Sequence, residues 1–317
     1  RGSGPSHPTP RTSMSRSPTR LLPAIMLAAA AFPLAAQDGP EPDLVTGTFA
    51  GTQVVNVHSV EVVPRKRSFG FMIQHRFGEV GADKDAWSQF AGLDLPANIR
   101  FAFQYAPLRD MHVELGRSKN GKVWDLGLKA RILKQTEGSG MPVSMTVLGN
   151  AGFMSEAFPK VSDRDFFADG VTPFAYTFAH RFSYSAQVIF GRRFTRWFSA
   201  QLAPVFVYRN LVPVGGSNTS LALAGAARFK VTTKGSILVE TSPVLAGRQT
   251  AGQREPLALA YEVATLGHVF QLVLASSQEI IDQRLYTTPS ARYDEGRFHL
   301  GFNIARILFV KPRPPRP

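Results

Sequence analysis

Ten charged residues carry most of the chemistry this sequence could perform: Arg76, Arg100, Lys129, Arg131, Arg181 and Arg228 against Glu114, Asp125, Glu240 and Glu262. Each falls among the polar positions of a stretch in which apolar and polar residues alternate. Alternation with a period of two gathers such residues on one face of a sheet. Six cations and four anions could pair into a network that closes a narrow barrel, which is the simpler use. Left open, the same face would line a channel favouring a small anionic solute. Arg209 and Asn210 begin a later loop beside Pro213 and Gly215. They could meet an anion at a pore mouth, or Asn210 could simply hold a turn.

Other chemistry finds less support. His75, His180 and His268 fall in phase with the apolar residues near strand ends, the first two at one rim and the third at the other. Metal ligands must converge to within about 2.0–2.3 Å of an ion, and two rims cannot share one. An interfacial place, with the polar tip at headgroup level, is the plainer reading. His180, Ser183 and Ser185 are the parts of a lipid hydrolase, but His180 is out of phase with both serines. A nucleophile needs its base within about 3 Å. HExxH, P-loop, Rossmann and GxSxG patterns are absent. Val214-Gly215-Gly216-Ser217 lacks a following lysine and reads as a turn. With no cysteine, disulfides, thiolate metal sites and a cysteine nucleophile are excluded. No catalytic residue, metal or cofactor is assigned.

The elements that must position the charged face are strands. Phe69, Phe71, Ile73 and Phe77 alternate with Gly70, Met72, Gln74 and Arg76, and Ile99, Phe101, Phe103 and Tyr105 with Arg100, Ala102 and Gln104. The same period runs through 111–116, 124–131, 143–147 and 178–190, and less cleanly through 198–208, 219–230, 236–244, 257–264, 268–276 and 297–309. That is twelve strands, most of about the 9–11 residues that a tilted membrane crossing requires. Connections at 106–110, 134–140, 191–197, 231–235 and 265–267 are short. Those at 78–97, 154–177, 209–218, 245–256 and 277–296 are longer, and only 118–122 breaks the pattern. Short turns on one side, long loops on the other and an even strand count describe an outer-membrane barrel. The expected fold is therefore an all-β, antiparallel up-and-down transmembrane barrel.

The flanking segments fit export. Residues 1–13 read as upstream sequence. Residues 14–36 have Arg16 and Arg20, a short apolar run broken by Pro23 and Pro33, and small residues at the end, the parts of a cleaved signal peptide. Removing 1–36 takes four arginines and no acid, leaving 32 basic against 23 acidic residues, or +9 from the full chain's +13. No basic block mixed with aromatics is present, so a nucleic-acid partner is not expected. Residues 37–67 form an N-terminal segment, periplasmic or folded into the lumen as a plug, with Asn56, His58 and Glu61 polar enough to line a lumen. Residues 68–310 form the barrel, and 311–317 a basic, proline-rich tail. The expected surroundings are the outer-membrane bilayer and, during insertion, the barrel-assembly machinery.

Several stretches resemble the DUF5777 family: NVHSVEVV (56–63), MIQHRFG (72–78), KARILKQ (129–135), MPVSMTVLG (141–149), YRNLVP (208–213), GHVFQL (267–272) and FHLGFNIARI (298–307). They occur in family order through nearly the whole of the chain beyond 36. The resemblance implies an outer-membrane β-barrel and no particular activity. Four uses stay open: a narrow channel or small-solute binder, a non-conducting structural or partner-binding barrel, a lipid-modifying enzyme, and a soluble lipocalin-like carrier. The last would place Phe69, Phe71, Phe101 and Phe103 inside.

Overall fold

The computed structural model describes residues 44–308, apart from 46, 82–86, 139, 163–164, 168 and 251–252. The expected signal peptide, the residues before it and the 311–317 tail lie outside the described residues. The strands are β1 (Phe69–Gly81), β2 (Asn98–Leu108), β3 (Met111–Ser118), β4 (Val123–Leu133), β5 (Ser144–Met154), β6 (Phe182–Arg193), β7 (Phe198–Arg209), β8 (Thr219–Lys230), β9 (Gly235–Thr241), β10 (Val244–Ala246), β11 (Leu257–Ala264), β12 (His268–Ala275) and β13 (Arg297–Leu308). Twelve of them form a closed antiparallel ring in which β8 pairs with β9, β9 with β11, and β13 returns to β1. The exception is β10, which pairs with β8 beyond the end of β9. The chain breaks at Ser242-Pro243, so the strand expected over 236–244 ends early: proline has no N–H to give the ladder.

Alternation decides which way each strand faces. In β2, Asn98, Arg100, Ala102 and Gln104 are buried, while Phe101, Tyr105 and above all Phe103, at 61 % exposed, point outward. β1, β3 and β4 follow the same rule. The four phenylalanines that would fill a soluble carrier are thus on the outside. Cross-strand aromatic pairs tie that surface together, with ring centroids 5.0 Å apart for Phe71 and Phe103 and 5.1 Å for Phe198 and Phe229. Such pairs contribute roughly 0.5–1.5 kcal/mol each beyond their area. Turns at 109–110, 134–143, 194–197, 231–234 and 265–267 define a short-turn end. The longer connections lie at the other end, with 119–122 the tight exception.

A charge placed on the outer face tests this orientation. Leu126, 55 % exposed in mid-β4, should on mutation to Arg cost the barrel about 2–4 kcal/mol of folding free energy in lipid vesicles. Urea titration with tryptophan fluorescence would measure it. No loss in lipid would mean that this face does not meet the bilayer.

Candidate functional site

The lumen is filled from both ends. From the short-turn end, residues 47–63 enter as a hairpin. Val54 N–H donates to Val57 O at 2.9 Å and Ser59 N–H to Thr52 O at 3.0 Å. Few other bonds are internal, because the barrel wall supplies the rest. Glu240 accepts the N–H groups of Val55, Asn56 and Val57 at 3.1, 2.9 and 3.2 Å. Lys129 Nζ donates to Thr52 O at 2.8 Å, Gln271 to Val54 O at 2.7 Å, Asn303 to Val55 O at 2.9 Å and Gln201 to His58 O at 2.7 Å. Thr146 donates to Val60 O at 2.6 Å, and His112 Nδ1 accepts Val63 N–H at 3.2 Å. A segment inside a narrow barrel has no neighbouring strand, so its backbone is satisfied by side chains instead. Its valines, Val54, Val55, Val57 and Val60, pack in one apolar cluster with Ala203, Ala222, Ala224, Ala226, Ala258 and Ala260 of the opposite wall. Small wall residues leave room there for the larger plug residues.

The charged wall is a paired network. Arg100 donates to Asp125 at 2.5 and 3.1 Å, to Glu114 at 2.6 Å and to Gln74 at 3.1 Å, all buried. The guanidinium crosses β3 at Gly116, where an added Cβ would stand 2.5 Å from Arg100 Nη2 and 2.3 Å from Asp125 Oδ2. Arg76 binds plug and wall at once, donating to Asn56 Oδ1 at 2.7 Å and to Asn303 Oδ1 at 2.9 Å. Arg131 joins Glu61 of the plug to Asp110 of a turn, at 2.9 and 2.8 Å. Arg228 meets Glu262 at 3.0 Å.

From the long-loop end, residues 276–296 fold inward. The helical turn Asp282–Leu285 buries Asp282, Gln283 and Leu285. Asp282 Oδ2 accepts Ser185 Oγ–H at 3.0 Å and Gln187 Nε2–H at 2.7 Å, and His58 Nε2 of the plug lies 3.6 Å away. The two inserted segments therefore meet inside the barrel. Burial pushes the Asp282 carboxyl up to about 6, against the pull of Ser185 and Arg100.

Nine of the ten expected lumen residues face inward. Arg181 does not. Residues 178–181 form a 3-10 turn, so the strand period begins only at Phe182. Arg181 sits at the long-loop rim, donating to Met154 O and Glu156 O at 2.9 and 2.7 Å, its guanidinium 4.2 Å from the centre of the Phe158 ring. Five of the expected wall cations then face four wall anions, and Asp282 of the inserted loop adds a fifth anion. Arg209 donates to Thr287 Oγ1 of the inserted loop at 3.0 Å, and Asn210 to Ala179 O at 2.8 Å. Both tie loops together. His75 stacks on Phe302, His268 on Phe270 and His180 on Phe174. His180 Nδ1 accepts Thr177 N–H within its own turn, whereas Ser185 is turned into the lumen toward Asp282. Sequence reading missed Asp282 and the inward course of its loop. The signal present was the apolar content of that loop, Ile280, Ile281, Leu285 and Tyr286, all now buried.

A closed ring with an aromatic and aliphatic exterior and a charged, filled interior is a membrane β-barrel. The family model described as "Membrane bound beta barrel domain (DUF5777)" matches residues 49–308, and the chain belongs to that family. No curated protein matches it. Among solved structures it is similar to the NanC porin (7 % identity, 76 % of this chain and 100 % of that one, TM-score 0.44). It is similar also to the KdgM porin (6 %, 76 % and 99 %, TM-score 0.42). A third is the COG4313 outer membrane channel from Pseudomonas putida F1 (8 %, 78 % and 98 %, TM-score 0.46).

Two outcomes follow from the network. Arg100→Ala leaves Glu114 and Asp125 buried without their cation and should cost about 3–5 kcal/mol. The combined Arg100→Met, Glu114→Gln, Asp125→Asn variant should lose far less in the same urea titration; equal losses would rule out charge pairing as the cause. For Asp282, the buried carboxyl holds its proton to a higher pH than a free one. The inserted loop is then most stable below the ordinary value of 3.8 and weakens as pH rises toward about 6. Hydrogen exchange of residues 280–287, corrected for intrinsic rates, should quicken across that window in the native chain and stay level in Asp282→Asn.

Proposed function

We propose that the protein is a porin-like barrel of the bacterial outer membrane whose narrow solute path is held shut by its own N-terminal segment. The observation that carries this reading is topological. The plug is a re-entrant hairpin with both ends at the short-turn mouth: Val45 N–H donates to Gln135 O at 2.9 Å on one side, and Arg67 N–H to Ala106 O at 2.7 Å on the other. A hairpin of that kind can withdraw as a unit without threading the barrel. Its bonds are mostly to polar wall side chains, which water could satisfy in its place. Loop asymmetry supports the outer-membrane setting, with the short turns on the periplasmic side. The solute would be small and polar, and the near balance of lumen charge gives no reason for strong ion selectivity.

The apolar bed under Val54, Val55, Val57 and Val60 favours a second reading, in which the plug is permanent core and the barrel serves as a structural or partner-binding element. Planar-bilayer recording separates the two, using the full chain and a form lacking residues 47–63, each checked for folding by heat-shifted electrophoretic mobility. The gate reading expects rare, brief openings of the full chain and steady, weakly selective steps from the deleted form. A deleted form that folds but stays silent would favour the structural reading. Equal, steady conductance from both would sink the gate.

A further inference from the structure

At the short-turn mouth, the ends of β6, β7, β8 and β12 and the first plug residues enclose a cavity of about 350 Å³. Four cationic side chains, Arg193, Arg196, Arg228 and Lys230, line it, and no acidic residue does. Two of the four are compensated from outside the lining: Arg228 by Glu262 at 3.0 Å and Arg193 by Glu137 at 3.3 Å. Arg196 and Lys230 have no side-chain hydrogen bond or ion pair among the described residues. This departs from the mid-barrel lumen, where every wall arginine has a partner. A cavity of one sign with low-dielectric walls concentrates counter-ions.

We infer that this vestibule binds a phosphate-bearing anion. Three arginines and one lysine line the cavity, and planar guanidinium forks match phosphate oxygens in pairs. Two uncompensated charges match a dianion. The volume has room for a phosphate group. The site sits beside Trp197, which also lines the cavity and is 54 % exposed, as is expected of a residue at a bilayer interface. The phosphate could therefore come from an inner-leaflet lipid headgroup or from free phosphate. The inference goes beyond the gating proposal and does not depend on it.

The experiment titrates inorganic phosphate into the full chain folded in detergent at low ionic strength, by calorimetry. In parallel, the chain in phosphatidylcholine nanodiscs, with or without cardiolipin, is examined by native mass spectrometry for retained lipid. The comparison is Arg196→Gln/Lys230→Gln. Arg192→Gln/Lys234→Gln, which alters two cations at the same end of the barrel but outside the cavity lining, Arg192 in β6 lying over Phe194 at 5.2 Å, is the charge-matched control. Saturable phosphate binding that falls at least ~10-fold in the double variant, equivalent to about 1.4 kcal/mol, and stays in the control supports the site. Cardiolipin retained by the native chain and lost from the double variant supports it with the lipid as source. Phosphate binding sensitive to the double variant, without selective cardiolipin retention, makes free phosphate the source. No binding of either, or a double variant that binds phosphate and retains cardiolipin as the native chain does, overturns the inference. Both altered residues are exposed, and mobility on electrophoresis verifies folding of each variant.

Discussion

A strand that crosses lipid can carry polarity on one face only. Its backbone must also be paired on both edges, since the hydrocarbon offers no water. The pairing of β1 with β13, from Phe69 opposite Leu308 to Arg76 opposite Gly301, meets the second demand by closing the ring. Closure then turns the first demand into an interior problem. Most of the charges on the strands are delivered into a lumen too narrow to be generously hydrated. There each needs a partner, which accounts for Arg100 lying between two carboxylates and for Arg76 gripping two asparagines.

The ring alone does not provide enough partners, and the inserted segments complete the set. The wall is divided. β1 to β4 present Gln74, Arg76, Arg100, Gln104, Glu114, Asp125 and Lys129, while β7, β8 and β11 present mostly alanine and valine. The plug is matched to the whole ring: side chains from Lys129 of β4 to Gln201 of β7, Glu240 of β9 and Asn303 of β13 bond its backbone, Asn56 meets Arg76, and its valines pack on the small apolar wall. Space is made where it is needed. Gly116 lets Arg100 pass, and at Gly301 a Cβ would stand 2.1 Å from the backbone oxygen of His75 and 3.0 Å from Arg76 Cδ.

Charge is treated differently along the barrel axis. Deep in the lumen desolvation is severe, so cations and anions nearly balance. At the short-turn mouth water is at hand, and Arg196 and Lys230 can remain uncompensated. Neutral at the centre and positive at one mouth, the barrel could admit an anion to its vestibule without a lumen selective for anions.

The strands, their facing and the sorting of short and long connections were legible in the sequence, because a period of two records directly which residues meet lipid. Nine of the ten lumen charges could be named on that basis alone. The tenth, Arg181, was lost because phase means nothing in a 3-10 turn. That the ring is filled, by which residues, and that residues 276–296 turn inward to set Asp282 against His58, only the tertiary structure decided. Those contacts join positions more than two hundred residues apart, and no local pattern encodes them. Periodicity reports how a segment faces its surroundings. What occupies the space behind it depends on how the whole ring closes.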